Sequence, residues 1–159
     1  MSELQRYQDE IQSAHTGNPW HGPSLDQILA EVDVRTAAAR PIPQVHSIWE
    51  LVLHLTGWTR EVARRLRTGK RGEPDEGDWP PVPKPTAQAW EAARKGLHEA
   101  HEELIKAIEA FPAERLHQPI EKGKPTTYAQ TLSGLTQHDA YHGGQITLLR
   151  KASKVLAAN

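Results

Sequence analysis

Apolar positions recur three and four residues apart along two long stretches of the chain. Between 47 and 68 the stripe runs through Leu51, Leu55, Trp58 and Val62; between 127 and 152 it runs through Leu135 and Leu149, with Thr131, His138, His142 and Gln145 in register. This is the period of an amphipathic helix, and strand signals hardly appear. Helix starts are marked too. Ser2-Glu-Leu-Gln5, Ser24-Leu-Asp-Gln27, Ser47-Ile-Trp-Glu50 and Thr127-Tyr-Ala-Gln130 each place an N-cap hydroxyl three residues before a Glu or Gln. In that pattern side chain and backbone satisfy each other's free N–H groups. The signals predict helices at about 2–15, 24–32, 47–68, 86–110 and 127–152, with a short helical turn at 33–39.

Proline and glycine mark the connections GNPWHGP (17–23), RPIP (40–43), GKRGEPDEGDWPPVPKP (69–85) and FPAERLHQPIEKGKP (111–125). The third is too long and too rich in proline for a plain turn, so it is expected to cross over the outside of a bundle. The expected fold is all-α: a four-helix bundle with crossover connections, plus short extra helices in the loops. With 159 residues, 37% hydrophobic and 25% charged, the chain is long enough for one core, and a single domain over 1–159 is expected.

The absence of cysteine excludes disulfides, thiolate metal sites and a cysteine nucleophile, leaving histidine and carboxylate chemistry. A net charge of −1 gives no general pull toward nucleic acid. The local exception, RRLRTGKR (64–71), reads as cations at a helix C-terminus continuing into a solvated loop. The start MSELQRYQDEI lacks the apolar run of a signal peptide, and no stretch has the length of a membrane span. A cytoplasmic protein acting on a small molecule, without nucleic acid or membrane partners, is expected.

Histidines interrupt the apolar stripes. His54 lies between Leu51 and Trp58, and His138 and His142 lie four apart on the last helix, so all three point inward. An imidazole in a core must be hydrogen-bonded, exposed to a cavity or bound to something. A pair at i, i+4 shares one helix face and can converge on one ion, and a third ring from a facing helix completes a three-ligand set. Three protein ligands leave coordination positions open, as in catalytic metal sites. A hydrogen-bonded histidine network is the alternative. Gly57, Gly134, Gly143 and Gly144 lie within four residues of these histidines. They leave room for an ion and substrate, or they permit close helix packing. A diiron bundle is disfavoured, because the one Glu-x-x-His motif, Glu114 to His117, falls in a loop.

The segments WHGPSL (20–25), HSIWELVLHLTGW (46–58) and QHDAYHGGQITLLRK (137–151) together resemble the DinB/YfiT-like superfamily of bacterial metal-binding four-helix bundles, over about residues 10–151. The resemblance implies one divalent ion per chain on His54, His138 and His142. It also implies activity as a metal-dependent hydrolase or as a transferase or isomerase using a low-molecular-weight thiol, and a possible homodimer. A non-catalytic, stress-related metal-binding bundle is the alternative. Zinc is the default ion, with nickel, iron or manganese as other occupants.

Further candidates surround this trio. Gln145 is placed to hydrogen-bond a metal-bound water, Asp139 to orient a ligand imidazole, and Tyr141 to donate a proton. The bland readings are a Gln satisfied in the core, a solvated carboxylate and a packing tyrosine. His46 is read as a partly exposed histidine at a helix start, or as a residue of the pocket mouth. His101, between Leu97 and Leu104, is a reserve base. Trp20 and Trp79, both in loops, are candidates to cover the site.

Overall fold

The computed structural model describes residues 2–158. It contains α1 (Glu3–Thr16), α2 (Leu25–Leu29), α3 (Val34–Ala38), α4 (Ile48–Thr68), α5 (Ala87–Glu109), a 3₁₀ turn (Ala113–Arg115) and α6 (Tyr128–Ala158). Among the described residues there are no strands beyond an isolated bridge between Pro119 and Thr127. The expected helices form close to their predicted bounds. The exception is α6, which runs on past 152 because the terminal segment KASKVLAA contains neither Gly nor Pro to stop it.

Capping explains the starts. Ser24 with Gln27 and Ser47 with Glu50 make complete capping boxes, as do Thr127 and Gln130, whose reciprocal bonds measure 2.9 and 3.2 Å. The box expected at Ser2 is only half made. Ser2 accepts from Gln5 N, but the Gln5 side chain donates to Asp9 instead. Gly69 ends α4 with φ +66°, where any side chain is strained.

The four long helices form a bundle in which α4 packs against α5 and α6, and α1 against the same two on the other side. Trp49 meets Trp90 and Arg60 meets Glu103, so α4 and α5 run parallel. A parallel pair cannot be joined by a short turn, which accounts for the long crossover 69–86. Gln8 meets Glu109 and His15 meets His98, so α1 runs antiparallel to α5.

The apolar core is in two parts. One includes Ile11, Val62, Leu66, Leu104, Ile108 and Leu132; the other includes Leu25, Trp49, Leu55, Trp90, Leu97 and Ile146. His101 on α5 and Asp139 and His142 on α6 fall between these sets in sequence, and with His15 stacked on His101 and His54 beside His138 they give the bundle a polar waist. Burying polar groups there costs stability unless each finds a partner. Among the described residues no helix is long and apolar enough to cross a membrane.

Candidate metal centre

From its second turn α4 presents the buried His54; α6 presents His138 and His142 from successive turns of one face. The three rings converge. His138 Nε2 is 3.0 Å from His54 Nε2 and 3.1 Å from His142 Nε2. An ion with M–N bonds of about 2.0–2.1 Å separates neighbouring nitrogens by about 2.9–3.4 Å for angles between square and tetrahedral, so these two separations match neighbouring ligands of one ion, and ligand atoms of all three residues lie within 4.8 Å of one another.

The outward nitrogens fix the tautomers. His54 Nδ1 donates to the Asp78 carbonyl at 2.7 Å, and His142 Nδ1 donates to Gln145 Oε1 at 2.6 Å. With Nδ1 protonated, a neutral ring carries a bare lone pair on Nε2. Two such lone pairs therefore face His138 Nε2, which has one proton at most to offer them. His138 Nδ1 is itself buried without a partner among the described residues. A cation at the convergence resolves this arrangement, whereas a purely hydrogen-bonded trio leaves acceptors opposed.

Burial, reinforced by the His142 charge, pushes the His138 pKa down to about 4, and burial also lowers that of His142. Both rings are thus neutral and available as ligands at neutral pH. The group could hold a metal ion.

The crossover completes the site. Asp78 Oδ1 accepts from Trp58 Nε1 at 2.7 Å, and Trp79 stacks on both His54 and His46, with centroids 4.0 and 3.6 Å apart. Gly57 lets this segment approach α4, since a Cβ there would lie 3.0 Å from Pro74 Cβ. Gly134 has open space and lines a cavity of about 470 Å³, whose wall also includes His54, Trp58, Arg65 and His138. Gly143 serves packing, with a Cβ position 3.5 Å from Leu25, and Gly144 faces open space.

Several expectations need correction. Trp79 covers the site, but Trp20 is fully exposed and does not. Gln145 spends its carbonyl on His142 Nδ1, so it orients a ring in place of bonding a bound water. Tyr141 is exposed, and its hydroxyl accepts from Gln145 Nε2, behind the ring and away from the converging nitrogens. Asp139 is neither solvated nor bonded to any of the three rings: it is 1% exposed and its Oδ2 lies 3.2 Å from His101 Nε2. His101, the reserve base, is buried in that pair. His46 is partly exposed at the start of α4 and supports Trp79. Asp78 and Trp58 escaped sequence reasoning, because nothing in a proline-rich loop marks which carbonyl meets a histidine.

A family model described as the DinB superfamily matches residues 20–146, a span that includes His54, His138, His142 and the crossover. No curated protein and no solved structure matches the chain. An all-helical bundle with this histidine group, matched over most of its length, belongs to the DinB superfamily.

Proposed function

We propose that this chain is a metal-dependent enzyme in which His54, His138 and His142 hold one divalent ion through Nε2, with water or a small thiol as the activated nucleophile. The observation that carries the reading is the opposition of lone pairs at 3.0 and 3.1 Å, imposed by Asp78 O and Gln145 Oε1 on the outer nitrogens. A bound divalent ion would supply a Lewis acid that lowers the pKa of a water or thiol and polarises a carbonyl.

The chain's own residues do the rest. Gln145 and the Asp78 carbonyl hold two rings in their ligating tautomer. Trp79 shields the face of His54 from water. Trp58, Val62 and Leu135 give the adjoining cavity apolar walls that suit a small organic substrate. The Asp78 carboxylate, with Oδ1 2.7 Å from Trp58 Nε1 and 3.2 Å from His54 Nδ1, anchors the crossover behind the His54 ring. Zinc is the ion we favour, since three neutral imidazoles and open positions suit it.

Elemental analysis of untagged protein, with a panel of thiols plus an electrophile and a panel of esters and amides, tests the reading. The expected result is about one metal per chain, turnover that disappears on chelation and returns on reloading, and loss of metal in His138→Ala. Wild-type metal content in that variant would overturn the ligand assignment. Metal without turnover on either panel would favour non-catalytic binding.

A further inference from the structure

The cavity that ends at His54 and His138 has a second polar end. Arg65 lines it with a side chain only 11% exposed. Its Nε donates to Glu61 Oε1 at 2.8 Å and its Nη2 to the Gly72 carbonyl at 2.9 Å, while Nη1 has no partner among the described residues. The guanidinium is thus clamped on two nitrogens and open on the third. Glu61 does not cancel the charge, because Arg64 binds the same carboxylate at 2.7 Å, leaving two cations around one anion. Arg71 adds a third cation beside the cavity, with Nη1 3.5 Å from Thr126 Oγ1 on its wall. Arg65 and Arg71 both belong to the run RRLRTGKR, whose ordinary reading is a solvated helix end. Among the described residues Asp78 is the one carboxylate on the cavity wall, and it sits at the histidine end. The walls between the ends are Trp58, Val62, Gly134 and Leu135.

We propose that this cavity binds an elongated small molecule with an apolar body and a terminal carboxylate, the carboxylate resting on Arg65 with support from Arg71. Arg65 follows His54 by eleven residues on one helix, a rise of about 16 Å. The Arg65 Cζ lies 5.6 Å from the Trp58 ring, whose centroid is 6.4 Å from that of His54, so guanidinium and imidazole are at most about 12 Å apart, within reach of a chain of about eight carbons. A fixed guanidinium with a free N–H edge recognises carboxylate geometry better than a mobile lysine does. The proposal rests on the metal reading only for the ligand's other terminus, which would meet the ion.

The test uses the full chain, zinc-loaded and chelator-stripped, with octanoate and 1-octanol as probes. Binding is followed by the ¹⁵N-edited NMR shift of the Trp58 indole N–H, which lies on the cavity wall. Octanoate should bind at least about tenfold more tightly than octanol in both forms, as one charge-assisted hydrogen bond would provide. The preference should weaken with added salt, diminish in Arg71→Met and vanish in Arg65→Gln. Since Arg65→Gln disturbs the buried Glu61 pair, the wild-type preference and the Arg71→Met variant decide if that protein fails to fold. Equal binding of the two probes, or a preference unchanged in Arg71→Met and in Arg65→Gln alike, would overturn the proposal. A cobalt-loaded sample titrated with 8-mercaptooctanoate then examines the far end. A thiolate-to-cobalt absorption band together with the carboxylate preference supports both readings. The preference without the band would leave the carboxylate site standing and overturn the meeting of the ligand's far terminus with the ion, while metal content in His138→Ala decides the metal reading separately.

Discussion

The indole of Trp79 lies face to face on the imidazole of His54, 4.0 Å between centroids and 8° from parallel. The main-chain carbonyl of its neighbour Asp78 accepts a hydrogen bond from His54 Nδ1. The crossover therefore fixes both the plane and the tautomer of a ring on another element. Trp79→Ala should release the plane while keeping the Asp78 bond. We expect metal affinity to fall about tenfold, the usual scale for supports around a ligand, with helical content unchanged. Competition with a chromophoric chelator measures it. Unchanged affinity would reduce Trp79 to a cover with no hold on the ligand.

Gln145 offers a sharper probe of the same principle. Its Oε1 is 2.6 Å from His142 Nδ1, and its Nε2 donates to Tyr141 OH. Gln145→Leu should weaken metal binding about 10- to 100-fold, since the ring loses the acceptor that holds its proton on Nδ1. Tyr141→Phe should be nearly silent, because the hydroxyl lies one bond further out and in solvent. If Tyr141→Phe abolishes turnover while metal content stays intact, the hydroxyl acts as a proton donor after all.

What was legible in the sequence was whatever obeys a local rule. Helix starts follow from side chains three residues apart, and the inward direction of His54, His138 and His142 follows from the helical period. The crossover was legible as a proline-rich length, yet its contribution at Asp78 and Trp79 was not, because pairing across twenty-four residues leaves no local trace. Asp139 shows the same limit from another side. A carboxylate beside His138 in sequence points along a different face of α6, and its partner His101 sits on the diagonally opposed α5. The period gives the direction of a side chain but not what awaits it.

That buried pair yields a stability prediction. Both His101 nitrogens face acceptors, Leu97 O at 3.0 Å and Asp139 Oδ2 at 3.2 Å, and both side chains are nearly fully buried. Asp139→Ala removes one partner and strands the other, which should cost about 3–5 kcal/mol. Urea unfolding reads this directly, while metal affinity should stay within a few-fold. The double variant His101→Leu/Asp139→Leu should recover most of the loss, because it removes both polar groups together. A double variant no more stable than Asp139→Ala would mean that the pair holds the waist of the bundle in a way apolar packing cannot replace.

His15 completes the waist and sets its response to acid. The ring stacks on His101 with centroids 3.5 Å apart, and neither of its nitrogens has a partner among the described residues. Burial, then the charges of His101 and His98, lower its pKa from 6.5 to about 2. Between those values the unfolded chain carries a proton on this ring that the folded chain refuses, so acid favours unfolding. The stability His15 permits is fully present above pH 6.5 and is lost as the pH falls below it, at up to about 1.4 kcal/mol per pH unit. His138, lowered to about 4, shares part of this window, so the informative quantity is a difference between proteins. In metal-free samples His15→Leu, which leaves no buried nitrogen to protonate, should gain about 2 kcal/mol relative to wild type between pH 7.5 and pH 5. Parallel stability curves across that range would show that His15 takes up its proton in the folded state, and that the stack on His101 opens to admit it.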